Sequence, residues 1–307
     1  MNSEANAVPQ SLGQGARVEA RTIPWMESFY WCVRRELWEH RAVYIGPLAA
    51  AGVFLFGFLV SLLHLPHQMR EAIADPSKMK HLGQSYEFAA GAIMIVAMFV
   101  QIFYCVDAMQ GERKDRSILF WKSLPVSDAT TVLSKASIPL VILPLLAYGA
   151  VIVTGLVMLV LSSVVLTLSG LSPAPLWTQL SLLQGALLLL YHMVTVHILW
   201  YAPIICWLLL ISAWARRAAL LWAVLPPFCV GMLEKLVFNT THFAMWIQYR
   251  FNGGMEAETA PGTMPMNPMT HLTPGHFLLT PGLWLGWIVA AIFLYAAIRI
   301  RRNREPN

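Results

Sequence analysis

Charge is what this chain has least of. Of its 307 residues only 12% are Asp, Glu, Lys or Arg, while 57% are hydrophobic, against roughly a quarter charged in an ordinary soluble domain. A soluble fold could not hide that much apolar surface. Also missing is GxxxxGK[ST], so nothing in the chain can cradle nucleotide phosphates in the P-loop manner. There is no HExxH of a membrane metalloprotease and no GxSxG nucleophile elbow. The four cysteines, Cys32, Cys105, Cys206 and Cys229, form no CxxC pair and no metal-ligand spacing, and read as packing residues. The first 24 residues are a polar, flexible tail that carries Arg17 and Arg21. With no apolar core before a small-residue cleavage site, this tail is not expected to be a cleaved signal peptide, and it is expected to stay in the cytosol.

Where charge is scarce its positions carry the information, because an unpaired charge in hydrocarbon costs at least about 3 kcal/mol. Residues 42–63 are 22 residues without one, enough at about 1.5 Å per residue to cross a hydrocarbon core of about 30 Å. A second span is predicted over 88–106. No charge occurs between Lys135 and Arg216, a stretch long enough to cross twice, and the Gly and Pro residues of 169–175 divide it into spans at 138–168 and 179–212. The fifth span is predicted at 218–238, kinked by Pro226 and Pro227, and the sixth at 278–298. With both termini inside, 16 of the 21 Lys and Arg residues fall on the cytoplasmic side, as the positive-inside rule requires. The expected location is therefore a bacterial inner membrane, multi-pass, with a basic cytoplasmic tail at 300–307.

Two segments are neither span nor tail. Residues 25–41 carry Trp25, Phe29, Val33 and Leu37 as an i, i+4 row among charged positions, which suits a short helix lying flat at the inner interface or extending the first span. Between spans two and three, Glu112 and Arg116 are an acid-then-base i, i+4 pair. Ile118, Trp121 and Leu124 then repeat at three-residue spacing, Pro125 ends the helix, and Asp128 can cap the next. Arg113 and Asp115 complete its charged start. An aromatic face held out to the cytosol is best explained as a protein contact.

Other polar residues are scattered. His192 and His197 are five apart, about 140° around an α-helix, so they are not expected to ligate one metal jointly from a single face. Glu234 and Lys235 near the outer end of the fifth span are candidates for an outer gate. Between spans five and six, 241–251 is aromatic and nearly uncharged, and residues 253–275 read as an irregular loop. The loop's Met255, Met264, Met266, Met269, His271 and His276 would suit a soft metal, but they lack regular spacing and no metal site is expected.

The stretch Glu112-Arg-Lys-Asp-Arg-Ser-Ile-Leu-Phe-Trp-Lys-Ser-Leu-Pro-Val-Ser127, leading to Lys135, resembles the coupling segment of the type-2 permeases of ATP-binding-cassette (ABC) transporters. The resemblance extends over nearly the whole chain. It implies an all-α integral membrane fold: an amphipathic connecting helix at 25–41, a six-span permease domain over 42–299, and a cytoplasmic coupling helix. It also implies that Glu112, Arg113, Asp115, Arg116, Ile118, Trp121, Leu124 and Pro125 couple to two copies of a soluble ABC ATPase subunit, and that a second permease chain, identical or paralogous, completes the transporter. ATP and Mg would sit on the ATPase partner, with no cofactor and no catalytic residue in this chain. The substrate path would run along spans two and five, past Phe99, Gln101, Phe103, Phe228 and Met232, carrying an amphipathic or lipid-like molecule outward. Competing expectations are an ATP-coupled mechanical or sensory complex, a copper or metal-maturation transporter, and a membrane-embedded lipid-modifying enzyme. Nucleic acid is not an expected partner.

Overall fold

The computed structural model describes residues 24–115, 126–258 and 274–303. Among these residues there are helices and no strands. In chain order they are α1 (Trp25–Glu39), α2 (Ala42–Ser61), α3 (Leu65–Ala74), α4 (Met79–Asp107), α5 (Gln110–Lys114), α6 (Asp128–Leu168) and α7 (Ala174–Trp200). The order continues through α8 (Ala202–Trp214), α9 (Ala219–Phe238), α10 (His242–Glu258), α11 (Pro274–Leu279) and α12 (Pro281–Asn303). Six helical stretches are long and apolar enough to cross a membrane, which agrees with the number of charge-free runs.

The boundaries move in instructive places. The third span begins ten residues earlier than expected and runs unbroken for 41 residues, about 60 Å. The N-terminal cap of this helix is Ser127, whose hydroxyl accepts from the Thr130 N–H at 3.0 Å. Asp128, expected to be the cap, lies in the first turn and is spent on an ion pair. The fourth span is not one helix over 179–212 but three pieces: α7 is broken at Ser181, whose backbone turns left-handed (φ 33°), and gives way to α8 at Tyr201. The outer segment is more ordered than its composition suggests, since α10 continues through Gly253 and Gly254 to Glu258. The methionines and histidine at 264–271 lie outside the described residues.

Two π-helical turns interrupt the α ladders, at Ile138–Ile142 in α6 and Met193–Trp200 in α7. Widening a helix to i→i+5 shifts which carbonyl each N–H meets. In that register the acceptor for residue 144 is the Pro139 carbonyl. Pro144 has no N–H to give, and the Gln101 side chain supplies one instead, Nε2 to O at 2.6 Å. The second π turn brings the two histidines together: its smaller angular step per residue moves positions five apart toward one face, and the rings of His192 and His197 meet edge to face with centroids 5.4 Å apart. In α9, the missing N–H of Pro227 frees the Ala223 carbonyl, and the Trp207 indole donates to it at 3.0 Å.

The bundle packs around two main apolar clusters. One joins Val43, Tyr104, Cys105, Val132, Leu209 and Ala297 at the end of the bundle that carries α1 and the last turns of α12. The other joins Phe58, Met69, Leu82, Met158, Leu166 and Leu176, with α3 folded against α4 and α6. α8 and α12 form the most extensive pairing, and α2 lies along both α4 and α6. Gly46 permits the close approach of α2 to α4, since a β-carbon there would come within 2.7 Å of Val100 Cγ2. α9 stands apart, with only Ala219 and Ala223 buried.

Candidate coupling site

The residue types that the sequence scarcely uses converge at the terminal end of the bundle. α1 points Cys32 and Glu36 inward, with Val33 and Leu37 against the apolar cluster. The expected Trp25–Phe29–Val33–Leu37 row therefore splits: its C-terminal half is inside, while Trp25 is exposed. The outward face is instead Tyr30, Trp31, Arg34 and Trp38, with the Arg34 guanidinium about 5 Å from both indole rings. α1 is a separate helix, divided from α2 at His40.

Glu36 has no solvent exposure, and neither does Lys135 from α6. Lys135 Nζ lies 2.7 Å from Glu36 Oε1 and 3.0 Å from Glu112 Oε1. Arg35 Nη2 reaches the same two oxygens at 2.6 and 3.1 Å. Arg301, near the end of α12, puts Nη1 2.6 Å from Glu112 Oε2 and Nε 3.2 Å from Asp128 Oδ1. The Tyr104 hydroxyl donates to Glu36 Oε2 at 3.1 Å. Three cations thus face three carboxylates drawn from α1, α5, α6 and α12. Buried charges are tolerated when paired in this way, and removing one partner strands the others. Burial alone would push the Glu36 carboxyl up, but Lys135 and Arg35 outweigh it and hold the pKa below the ordinary carboxylate value. Burial pushes the neighbouring His40 down.

Glu36, Glu39 and His40 bring three ligand atoms within 4.8 Å of one another. They do not make a cation site, because both Glu36 oxygens already face Lys135, Arg35 and Tyr104.

The segment read as coupling is anchored at both edges. On one side the Ser212 hydroxyl of α8 accepts from the Met109 and Gln110 N–H groups at 3.0 and 3.1 Å. Arg113 donates to the Ser212 carbonyl and, at 2.8 Å, to the Ala215 carbonyl. On the other side are the Ser127 cap and the Asp128–Arg301 pair. Of the residues assigned to coupling, Glu112 and Arg113 therefore face into the chain, and Asp115 is exposed. Arg116, Ile118, Trp121, Leu124 and Pro125 lie outside the described residues.

The path residues separate as well. Phe99 and Phe103 share an exposed face of α4, as Phe228 and Met232 do on α9. Gln101 is not with them: it points to α6 and holds the Pro139 carbonyl. Glu234 accepts from the Thr240 hydroxyl at 2.8 Å and from the His242 and Phe243 N–H groups at 2.7 and 2.8 Å, which makes it the cap of α10, while Lys235 is exposed.

Sequence reasoning missed Glu36, Lys135 and Arg301 as a set. The signal was present in α1, where a lone acid sits on the same helical face as Cys32, Val33 and Leu37. No family model matches this chain, and no curated protein or solved structure matches it either.

Proposed function

We propose that this chain is the permease subunit of an ATP-driven exporter, with both termini in the cytoplasm of a bacterial cell. It moves an amphipathic or lipid-like substrate by alternating access between two permease chains. The ATP is hydrolysed by separate soluble subunits that dock on residues 116–125. The observation that carries this reading is the double anchorage of that segment. Its leading edge is pinned to α8 through Arg113 and Ser212, and its trailing edge to α12 through Asp128 and Arg301. A flexible charged loop would absorb a push, whereas a segment fixed at both edges passes it to α1, α6, α8 and α12 together. The chemistry stays in the partner, and this chain converts a displacement at one end into a rearrangement of spans.

The test is the double substitution Trp121→Ala with Leu124→Ala in the tagged full-length chain. The variant should insert normally but lose co-purification of a soluble nucleotide-binding subunit, and with it the ATPase activity of the purified complex. An unchanged complex with unchanged activity would remove the coupling role.

A further inference from the structure

The opposite end of α12 holds a second buried arginine, which the proposed export cycle does not use. Arg250 is the only Lys or Arg of α10 and is 6% exposed. Its guanidinium carbon lies 4.7 Å from the centroid of the Trp200 ring, and Nη1 donates to the Gly282 carbonyl at 3.0 Å. The seat exists because residue 286 is glycine; a β-carbon there would overlap the guanidinium. The backbone around it is tied down, since Trp200 Nε1–H donates to the Arg250 carbonyl and the Tyr201 hydroxyl to the Phe251 carbonyl, both at 2.9 Å. Yet Nε and Nη2 are buried without any hydrogen-bond partner. These two nitrogens are the side-on edge of the guanidinium, whose parallel N–H groups match two oxygens of a carboxylate or phosphate.

We infer that the Nε/Nη2 edge of Arg250 is the seat of an oxyanion, with the phosphodiester of a phospholipid headgroup as its source. The position supports the lipid source. Gly282 and Arg301 are 19 residues apart on α12, about 28 Å along the axis, which is close to the thickness of a hydrocarbon core. If the ion network marks one membrane surface, Arg250 lies at the level of the other. Exposed Trp246, Tyr249, Trp284 and Trp287 accompany it on α10 and α12, the residue types that gather at headgroup depth. The edge is closed off when empty, so the anion enters as α10 lifts from α12.

The test titrates the delipidated full-length chain with dioctanoyl phosphatidylglycerol, dioctanoylglycerol or inorganic phosphate, using native mass spectrometry. Hydrogen exchange on α10 is followed in parallel. One phosphatidylglycerol should be retained at saturation, with faster exchange over 242–252. Arg250→Gln should weaken it about tenfold or more, as expected for loss of a two-point charged contact, and Arg250→Lys should not restore it. Dioctanoylglycerol should not bind at the site. Gly286→Ala, which keeps the arginine but fills its seat, should weaken binding in a chain whose melting temperature is little changed, and so covers the case in which Arg250→Gln fails to fold. Saturable binding of inorganic phosphate that displaces the lipid would keep the oxyanion seat and reassign its source to a free anion. Equal lipid retention by the wild type and Arg250→Gln, or non-saturating uptake by both, would overturn the site.

Discussion

Arg301 lies in the last turn of α12, Arg250 of α10 packs against the first turns of the same helix, and the two are equally buried, each 6% exposed. Their surroundings are opposites. Arg301 meets two carboxylates, Glu112 and Asp128, inside a network that also holds Lys135 and Arg35. Arg250 meets one carbonyl and the face of an indole, and two of its nitrogens have no partner. A buried cation with counter-charges on several helices fastens those helices together. A buried cation without them keeps binding capacity in reserve. Burial alone therefore does not say what a charge is for, and its partners do.

This contrast can be broken experimentally. The largest effect is expected from Arg301→Met, which removes the partner of Asp128 and of the second oxygen of Glu112 and should cost about 3–5 kcal/mol, read as a lowered unfolding midpoint in detergent. Glu112→Gln keeps the shape but removes the charge shared by Lys135, Arg35 and Arg301. A loss of about 2–3 kcal/mol is expected in the same assay.

Acid should act on the network in the same direction. The folded pKa of Glu36 is depressed, so the stability it contributes is fully present above the ordinary carboxylate range and is lost as pH falls through the depressed value. The melting temperature should begin to drop below about pH 5 and keep falling until the depressed value is passed, and Glu36→Gln should flatten that slope. At the other end, Trp200→Phe keeps the ring under the guanidinium but deletes the donor to the Arg250 carbonyl, at a cost of about 1 kcal/mol. Smallest of all, Arg250→Met should leave the lipid-free chain as stable as before or slightly more so, because it replaces an unpaired buried charge by an apolar side chain of similar length. A large loss there would mean that Arg250 is a fastening like Arg301.

The number of membrane-crossing helices was legible in the sequence because hydrocarbon excludes charge, and a 22-residue charge-free run such as 42–63 has few other uses. The network was not legible, for the same reason in reverse. Lys135 and Arg301 read as flanking charges facing water, and nothing local distinguishes a flanking base from one folded under α1. The encounter of His192 with His197 was hidden differently. It depends on a π turn, which changes the angular step of the helix and leaves no periodic trace in composition. Arg250 did leave a trace, as the lone base in an aromatic segment, but only Gly286 on another helix explains why it is buried.

The ion network also says something about the order in which the molecule can be completed. Glu112 and Arg301 are 189 residues apart in the chain, and a ribosome adding about 5–20 residues per second needs roughly 10–40 seconds to get from one to the other. Glu36, Arg35, Glu112 and Lys135 can meet well before then, while Asp128 and the second oxygen of Glu112 wait for the last helix to be made. A chain cut short before residue 301 would hold most of its spans yet carry at their foot three acids, Glu36, Glu112 and Asp128, against two bases, Arg35 and Lys135. That excess negative charge would distinguish an unfinished chain from a finished one.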